Sequence, residues 1–70
     1  MIDPGSRWKH WKGRTYVVVC VATHTETGEE LVICRRETDL PGVPARARPL
    51  AMWQDRETET GEPRFKELLR

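Results

Sequence analysis

Serine is almost missing from this chain. Ser6 is the only one, and it lies in the opening stretch Met1–Ser6, which has no pattern to anchor it. No nucleophile elbow, phosphate-binding P-loop, dinucleotide fingerprint or HExxH motif occurs, so the enzyme classes built on them lack their residues. Long apolar runs are absent too. None approaches the ~20 residues that cross a bilayer as a helix, and the opening has no apolar h-region of a secretory signal. No membrane partner is expected, and the cytoplasm is the expected compartment, with Cys20 and Cys34 reduced. The two His and two Cys show neither Cys-x-x-Cys nor His-x₃-His spacing. Cys20 and His24 would stand roughly 13 Å apart on a straight strand at ~3.3 Å per residue. Neither a metal nor a cofactor is expected.

Charge of one sign is also scarce, since the formal net charge is +1. That total weighs against a nucleic-acid partner. The charges do fall in blocks. Arg7, Lys9, Lys12 and Arg14 are basic, Glu26, Glu29 and Glu30 acidic, Arg46 and Arg48 basic, and Asp55, Glu57, Glu59 and Glu62 acidic. Such blocks usually form solvated faces that pair with one another. With 37% hydrophobic and 33% charged residues the chain is globular with little apolar material to spare. A domain of this size hides only roughly 60% of its unfolded surface. Small domains often rely on a staple, a metal or a partner subunit, which leaves a homo-oligomer open.

What is present reads as β structure. Thr15–His24 is rich in β-branched residues, lacks Gly and Pro, and predicts a strand with both faces largely buried. Leu31–Arg36 predicts a second strand, and the polar Thr25–Glu30 between them a hairpin loop. A short strand is expected before Gly13, which suits a tight turn. Pro41-Gly42 marks a loop. Ala45–Arg48, held between Pro44 and Pro49, predicts an edge strand at best. Leu50–Trp53 suits one helical or 3₁₀ turn, Gln54–Glu59 a poor fifth strand, and Thr60–Pro63 a turn, after which Phe65 returns to the core. Residues 1–6 are expected to be a disordered start, 7–66 a single domain and 67–70 a fraying tail. Five short strands with Gly/Pro turns predict an all-β sheet closed on itself or strongly curled.

The ordered motifs Trp8-Lys9-His10-Trp11-Lys12-Gly13, Tyr16, Ala22-Thr23-His24-Thr25-Glu26-Thr27, Leu31-Val32-Ile33-Cys34-Arg35, Arg48-Pro49-Leu50-Ala51-Met52-Trp53 and Pro63-Arg64-Phe65 resemble the bacterial domain-of-unknown-function family 1653. They cover the chain after residue 6. The resemblance implies a small SH3-like barrel and no activity, because the family has none assigned. The family tends to place aromatics where Arg46 and Cys34 stand here.

Several residues could carry chemistry. His24 and Glu26 lie two apart and would share a strand face with Tyr16, Val18, Cys20 and Ala22. They read either as an imidazole–carboxylate pair or as a strand end and a turn-capping carboxylate. A hairpin symmetric about Thr27 would place Cys20 opposite Cys34, and a one-residue shift would separate them. Among the aromatics Trp11 and Trp53 are the expected exceptions to core burial. Arg48, held extended by Pro49, could offer its planar fork to a carboxylate or phosphate, or pair internally with Glu26, Glu29 or Glu30. The favoured expectation is a non-enzymatic binding module for a small ligand, peptide or nucleotide-like group. Its rim pocket would be lined by His10, Tyr16, His24, Glu26, Arg48 and Trp53. One alternative is a small enzyme using His24 and Glu26 as an acid–base pair, with Arg48 holding the substrate. Another is a nucleic-acid binder using Lys9, Lys12, Arg14, Arg46 and Arg48 with Trp11.

Overall fold

The two β-branched stretches form the centre of the molecule. The computed structural model describes residues 2–68. Strand β2 (Thr15–Thr23) and strand β3 (Glu30–Arg36) make an antiparallel hairpin. Its turn is closed by the Gly28 N–H donating to the His24 carbonyl at 2.8 Å, with Gly28 at φ +75°. Strand β1 (Arg7–His10) lies on the other side of β2. The connecting turn needs Gly13 at φ +103°, where an L side chain would be strained. Strand β4 (Arg46–Pro49) pairs with β3, and the helical turn α1 (Leu50–Trp53) follows it directly. Strand β5 (Phe65–Glu67) pairs with β1. The result is one antiparallel sheet in the order β4-β3-β2-β1-β5.

The sheet is open, so the closed SH3-like barrel expected from the sequence is not formed: β4 and β5 are edges and do not pair. Pro49 ends β4 without an N–H to donate, and the chain turns at once into α1. The sheet is nonetheless strongly curled. In a flat sheet four inter-strand gaps would set β4 and β5 about 19 Å apart. Yet the Arg48 guanidinium of β4 lies 5.6 Å from the Phe65 ring of β5, and Trp53 stacks on Phe65 at 3.8 Å. The indole therefore sits where closing strands would meet. The concave face holds the core of Tyr16, Val18, Val32, Cys34, Trp53 and Phe65, with Ile2, Trp8 and Leu50 packed around it.

Two sequence expectations need correction, and one alternative left open is decided. Strand β2 is not buried on both faces, since Val19 is 45% and Val21 37% exposed. Val21 pairs with the buried Val32 and so stands on the core face, but toward the hairpin turn where the core thins, so a run that reads as doubly buried is only partly used. A β-bulge between Val18 and Cys20 also shifts the register. Val18 faces Cys34, whereas Cys20 faces Ile33, so the two thiols are not opposite one another. The extra residue reverses the alternation, which places Cys20 and Ala22 on the face away from Val18 and Cys34. Finally, Gln54–Glu59 forms no strand and has only the bridge between Arg56 and Pro63. That stretch has no apolar side chain to bury, whereas Phe65 does, and the fifth strand forms around it.

The ends of the chain carry backbone pairing. The Gly5 N–H donates to the Val18 carbonyl at 2.8 Å, and the Ser6 carbonyl accepts from the Val18 N–H at 2.9 Å. At the other end the Leu68 N–H donates to the Arg7 carbonyl at 2.8 Å. The remainder of the predicted tail, residues 69 and 70, lies outside the described residues. Among the described residues no helix is long and apolar enough to cross a membrane.

Candidate functional site

The open end of the hairpin gathers positive charge. Tyr16 begins β2 and pairs in register with Arg36 at the end of β3. The β1–β2 turn brings Lys12 and Arg14 beside them, with the His10 N–H donating to the Arg14 carbonyl at 2.7 Å. Curling of the sheet then carries Arg48 over from β4. Together His10, Lys12, Arg14, Tyr16, Arg36 and Arg48 line a cleft of about 470 Å³. No carboxylate lines it. The ion pairs among the described residues lie elsewhere, at Arg7–Glu37, Arg64–Asp55 and Lys66–Glu62.

Arg48 is the best-fixed of these groups. Its guanidinium carbon lies 5.3 Å from the Tyr16 ring centroid and 5.6 Å from that of Phe65, a cation–π arrangement over two rings. One Nη2–H makes a long 3.4 Å hydrogen bond to the Tyr16 hydroxyl. The Nε atoms of both Arg36 and Arg48 are buried without a partner, an unfavourable state for a charged donor. Four permanent cations, Lys12, Arg14, Arg36 and Arg48, thus repel one another in a half-sheltered cleft that no carboxylate lines.

That field is visible in the neutral groups. Partial burial lowers the His10 pKa below 6.5, and the charges of Arg48, Lys12, Arg64 and Arg14 lower it further. The ring is held in place, since its Nδ1 accepts the Lys12 backbone N–H at 3.2 Å. It packs edge-on against Phe65 with centroids 4.8 Å apart. A neutral imidazole with Nδ1 accepting carries its proton on Nε2. Burial by itself would raise the Tyr16 phenol, but the charge and hydrogen bond of Arg48 and those of Arg36 outweigh it and bring it below 10.

The His10 shift has a stability consequence. The unfolded chain binds the proton more readily than the folded one, so stability falls with pH in the window from about 6.5 down through the folded pKa. His10→Asn keeps an acceptor near the Nδ1 position and removes the titration. Chemical denaturation between pH 7.5 and 5 is expected to show a decline in wild type that is flattened in the variant. Equal slopes for the two would show that His10 is not the group concerned.

The structure divides the sequence-predicted residues. His10, Tyr16 and Arg48 come together in the cleft. His24 and Glu26 lie at the far turn of the hairpin, eight residues from Tyr16 and so roughly 25 Å along β2. The His24 Nδ1 accepts the backbone N–H of Glu26 at 3.2 Å and of Thr27 at 3.4 Å. That is a turn cap, and no His24–Glu26 side-chain hydrogen bond accompanies it. Trp53 is 1% exposed and belongs to the core, because α1 lays it flat on Phe65. Trp11 is 48% exposed. Arg36, which sequence reasoning missed, enters through the register that pairs it with Tyr16. Of the basic residues named for a nucleic-acid binder, Lys12 and Arg14 join Arg48 in this cleft, aimed there by the turn at Gly13, whereas Lys9, Arg46 and Trp11 do not line it. Among the described residues no three His, Cys, Asp or Glu side chains cluster to hold a metal.

With this geometry in place the comparisons are direct. The family described as "Protein of unknown function (DUF1653)" matches residues 6–67. The chain belongs to this family. The matched span of this DUF1653 domain contains every residue of the basic cleft. The domain is similar to a crystal structure of a DUF1653 protein from Bordetella bronchiseptica, with 34% sequence identity and a TM-score of 0.72. The match covers 90% of this chain and 82% of that one. No curated protein matches the chain.

Proposed function

We propose that this DUF1653 domain is a cytoplasmic, non-enzymatic binding module that captures a small anionic ligand in the cleft between His10, Arg36 and Arg48. One observation carries this reading. Six converging side chains supply positive charge or a hydrogen-bond donor, and none is a carboxylate. Such a cluster is self-repelling until an anion enters. Planar guanidinium forks suit the oxygens of a phosphate or carboxylate, and the Nε2–H of a neutral His10 adds a donor without adding charge. A binding role is favoured over catalysis because His24 and Glu26 make no acid–base pair, and His10 Nδ1 is already occupied by a backbone N–H. The fold reading is an SH3-like plan left unclosed between β4 and β5, with Trp53 as the plug. That leaves the mouth beside Tyr16 open.

Titration with sodium pyrophosphate tests the proposal. Saturable binding is expected by calorimetry, weakening as salt rises. Arg36→Gln should weaken it by about tenfold, the worth of one charge-assisted hydrogen bond. Pyrophosphate that fails to saturate a folded wild-type domain at millimolar concentration and low salt would remove the proposal.

A further inference from the structure

The basic cleft has an aromatic neighbour that the anion reading alone does not use. Trp11 is the exposed tryptophan of the chain, at 48%, while Trp8 and Trp53 pack together at the core with ring centroids 5.9 Å apart. Its backbone is fixed, with the Trp11 N–H donating to the Arg64 carbonyl at 2.8 Å. Its ring lies across His10 from the basic cleft and lines a neighbouring cleft, shared with His10, Lys66 and the carboxylates of Glu62 and Glu67. The centroid is 5.9 Å from that of His10, and the Lys12 ammonium lies 5.3 Å from the indole. Both His10 and Lys12 line the cleft. A flat apolar surface and a pocket of cations are therefore separated by the width of one side chain.

We propose that the ligand is a phosphate ester carrying a flat aromatic group, of the nucleoside monophosphate class, with the phosphoryl group among Arg36, Arg48 and Lys12 and the ring stacked on Trp11. This rests on the anion reading of the cleft and adds the second half of the ligand. The two halves are coupled through Lys12. In the free domain its ammonium occupies one face of the indole. A phosphoryl group in the cleft draws that ammonium inward, and the indole face is released for a base. Stacking of a base on an aromatic side chain is sequence-tolerant because every base has a π-face. The site is accordingly expected to prefer an aromatic base to none, and to discriminate weakly among bases.

The test compares adenosine 5′-monophosphate with ribose 5-phosphate, which has the same phosphate and sugar but no base. Calorimetric titrations use the whole chain as wild type, Trp11→Ala and Trp11→Phe, with melting curves to confirm that each is folded. The nucleotide should bind wild type about 5-fold to 150-fold more tightly than the sugar phosphate, the span expected for one stacked base. Trp11→Ala should abolish that preference without weakening ribose 5-phosphate, which should bind as tightly or slightly more tightly once Lys12 has no indole to leave, whereas Trp11→Phe should keep most of the preference. Equal wild-type affinities for the two ligands would overturn the inference and leave the anion reading standing. A preference that survives Trp11→Ala would overturn it too, because the ring would then lie elsewhere. Binding of neither compound while pyrophosphate still binds would refute the ester but keep the anion site. Failure of all three would remove both readings. A single-stranded oligonucleotide bound more tightly than the mononucleotide, with a steep salt dependence, would transfer the site to nucleic acid and overturn the small-molecule assignment.

Discussion

Trp53→Ala should unfold this domain or lower its melting temperature by more than about 12 °C. The indole is 1% exposed, lies parallel to Phe65 at 3.8 Å and meets the edge of Trp8 at 5.9 Å. It comes from a four-residue helical turn, yet it joins residues from β1 and β5 across the concave face. A buried Trp→Ala change costs about 3–5 kcal/mol. A 70-residue chain at ~0.05–0.15 kcal/mol per residue has only about 4–10 kcal/mol in total. In domains this small 1 kcal/mol moves the midpoint by about 4–8 °C, so the lower bound on the shift follows. Trp53→Phe should be far milder. It keeps a ring against Phe65, and it removes an indole N–H that is buried without a partner, a burden of about 1–3 kcal/mol. A Trp53→Ala protein that melts within a few degrees of wild type would mean that the sheet holds its curl without the plug.

The elements of this fold were legible wherever a residue type acts locally. The β-branched run gave β2, the glycines gave the two hairpin turns, and the proline pair at Pro44 and Pro49 marked β4 as an edge. The illegible parts depend on neighbours that a single strand cannot announce. Whether Val19 and Val21 are covered depends on how far the core reaches along β2 toward the hairpin turn. The bulge after Val18 depends on how β3 pairs, and the register on its turn side sets Cys20 opposite Ile33. Gln54–Glu59 has turn-compatible and strand-compatible residues alike, and only the pull of Phe65 decides which segment joins β1.

The site shows the same division. His10, Tyr16 and Arg48 were legible because an aromatic, an imidazole and a Pro-fixed guanidinium are each conspicuous. His24 and Glu26 were equally conspicuous, but their spacing fits a turn cap as well as an acid–base pair, and the backbone donors of the turn take the imidazole. Trp53 was read as a rim group, whereas the structure lays it in the core against Phe65. The curl that brings β5 beneath it is a property of the whole sheet. Arg36 was hidden for the reason that the pairing of Cys20 with Cys34 stayed open. Assuming a hairpin symmetric about Thr27 puts it out of register with Tyr16 by two residues.

Arg48→Met should separate binding from folding. The unbranched methionine keeps most of the apolar stem that lies over Tyr16 and Phe65. The cation–π contact is lost, worth about 0.5–2 kcal/mol. Against that, the repulsion among Lys12, Arg14, Arg36 and Arg48 is relieved and an orphaned Nε–H disappears, worth about 1–3 kcal/mol. These terms oppose one another, so the melting temperature should stay close to that of wild type or rise. Pyrophosphate affinity should fall by about a hundredfold, since a guanidinium fork gives an anion two charge-assisted hydrogen bonds of ~1.5 kcal/mol each. Tyr16 is the only tyrosine in the chain, so its ionisation can be read from ultraviolet absorbance without interference. With Arg48 gone, burial is no longer outweighed by that neighbour, and the phenol pKa should move upward from its depressed value. Arg48→Ala is the informative contrast, because it deletes the stem as well and should lose stability along with affinity. Were Arg48→Met to bind pyrophosphate as wild type does while the phenol pKa rose, the guanidinium would be a neighbour of Tyr16 and nothing more, and the anion would have to be held by Lys12, Arg14 and Arg36.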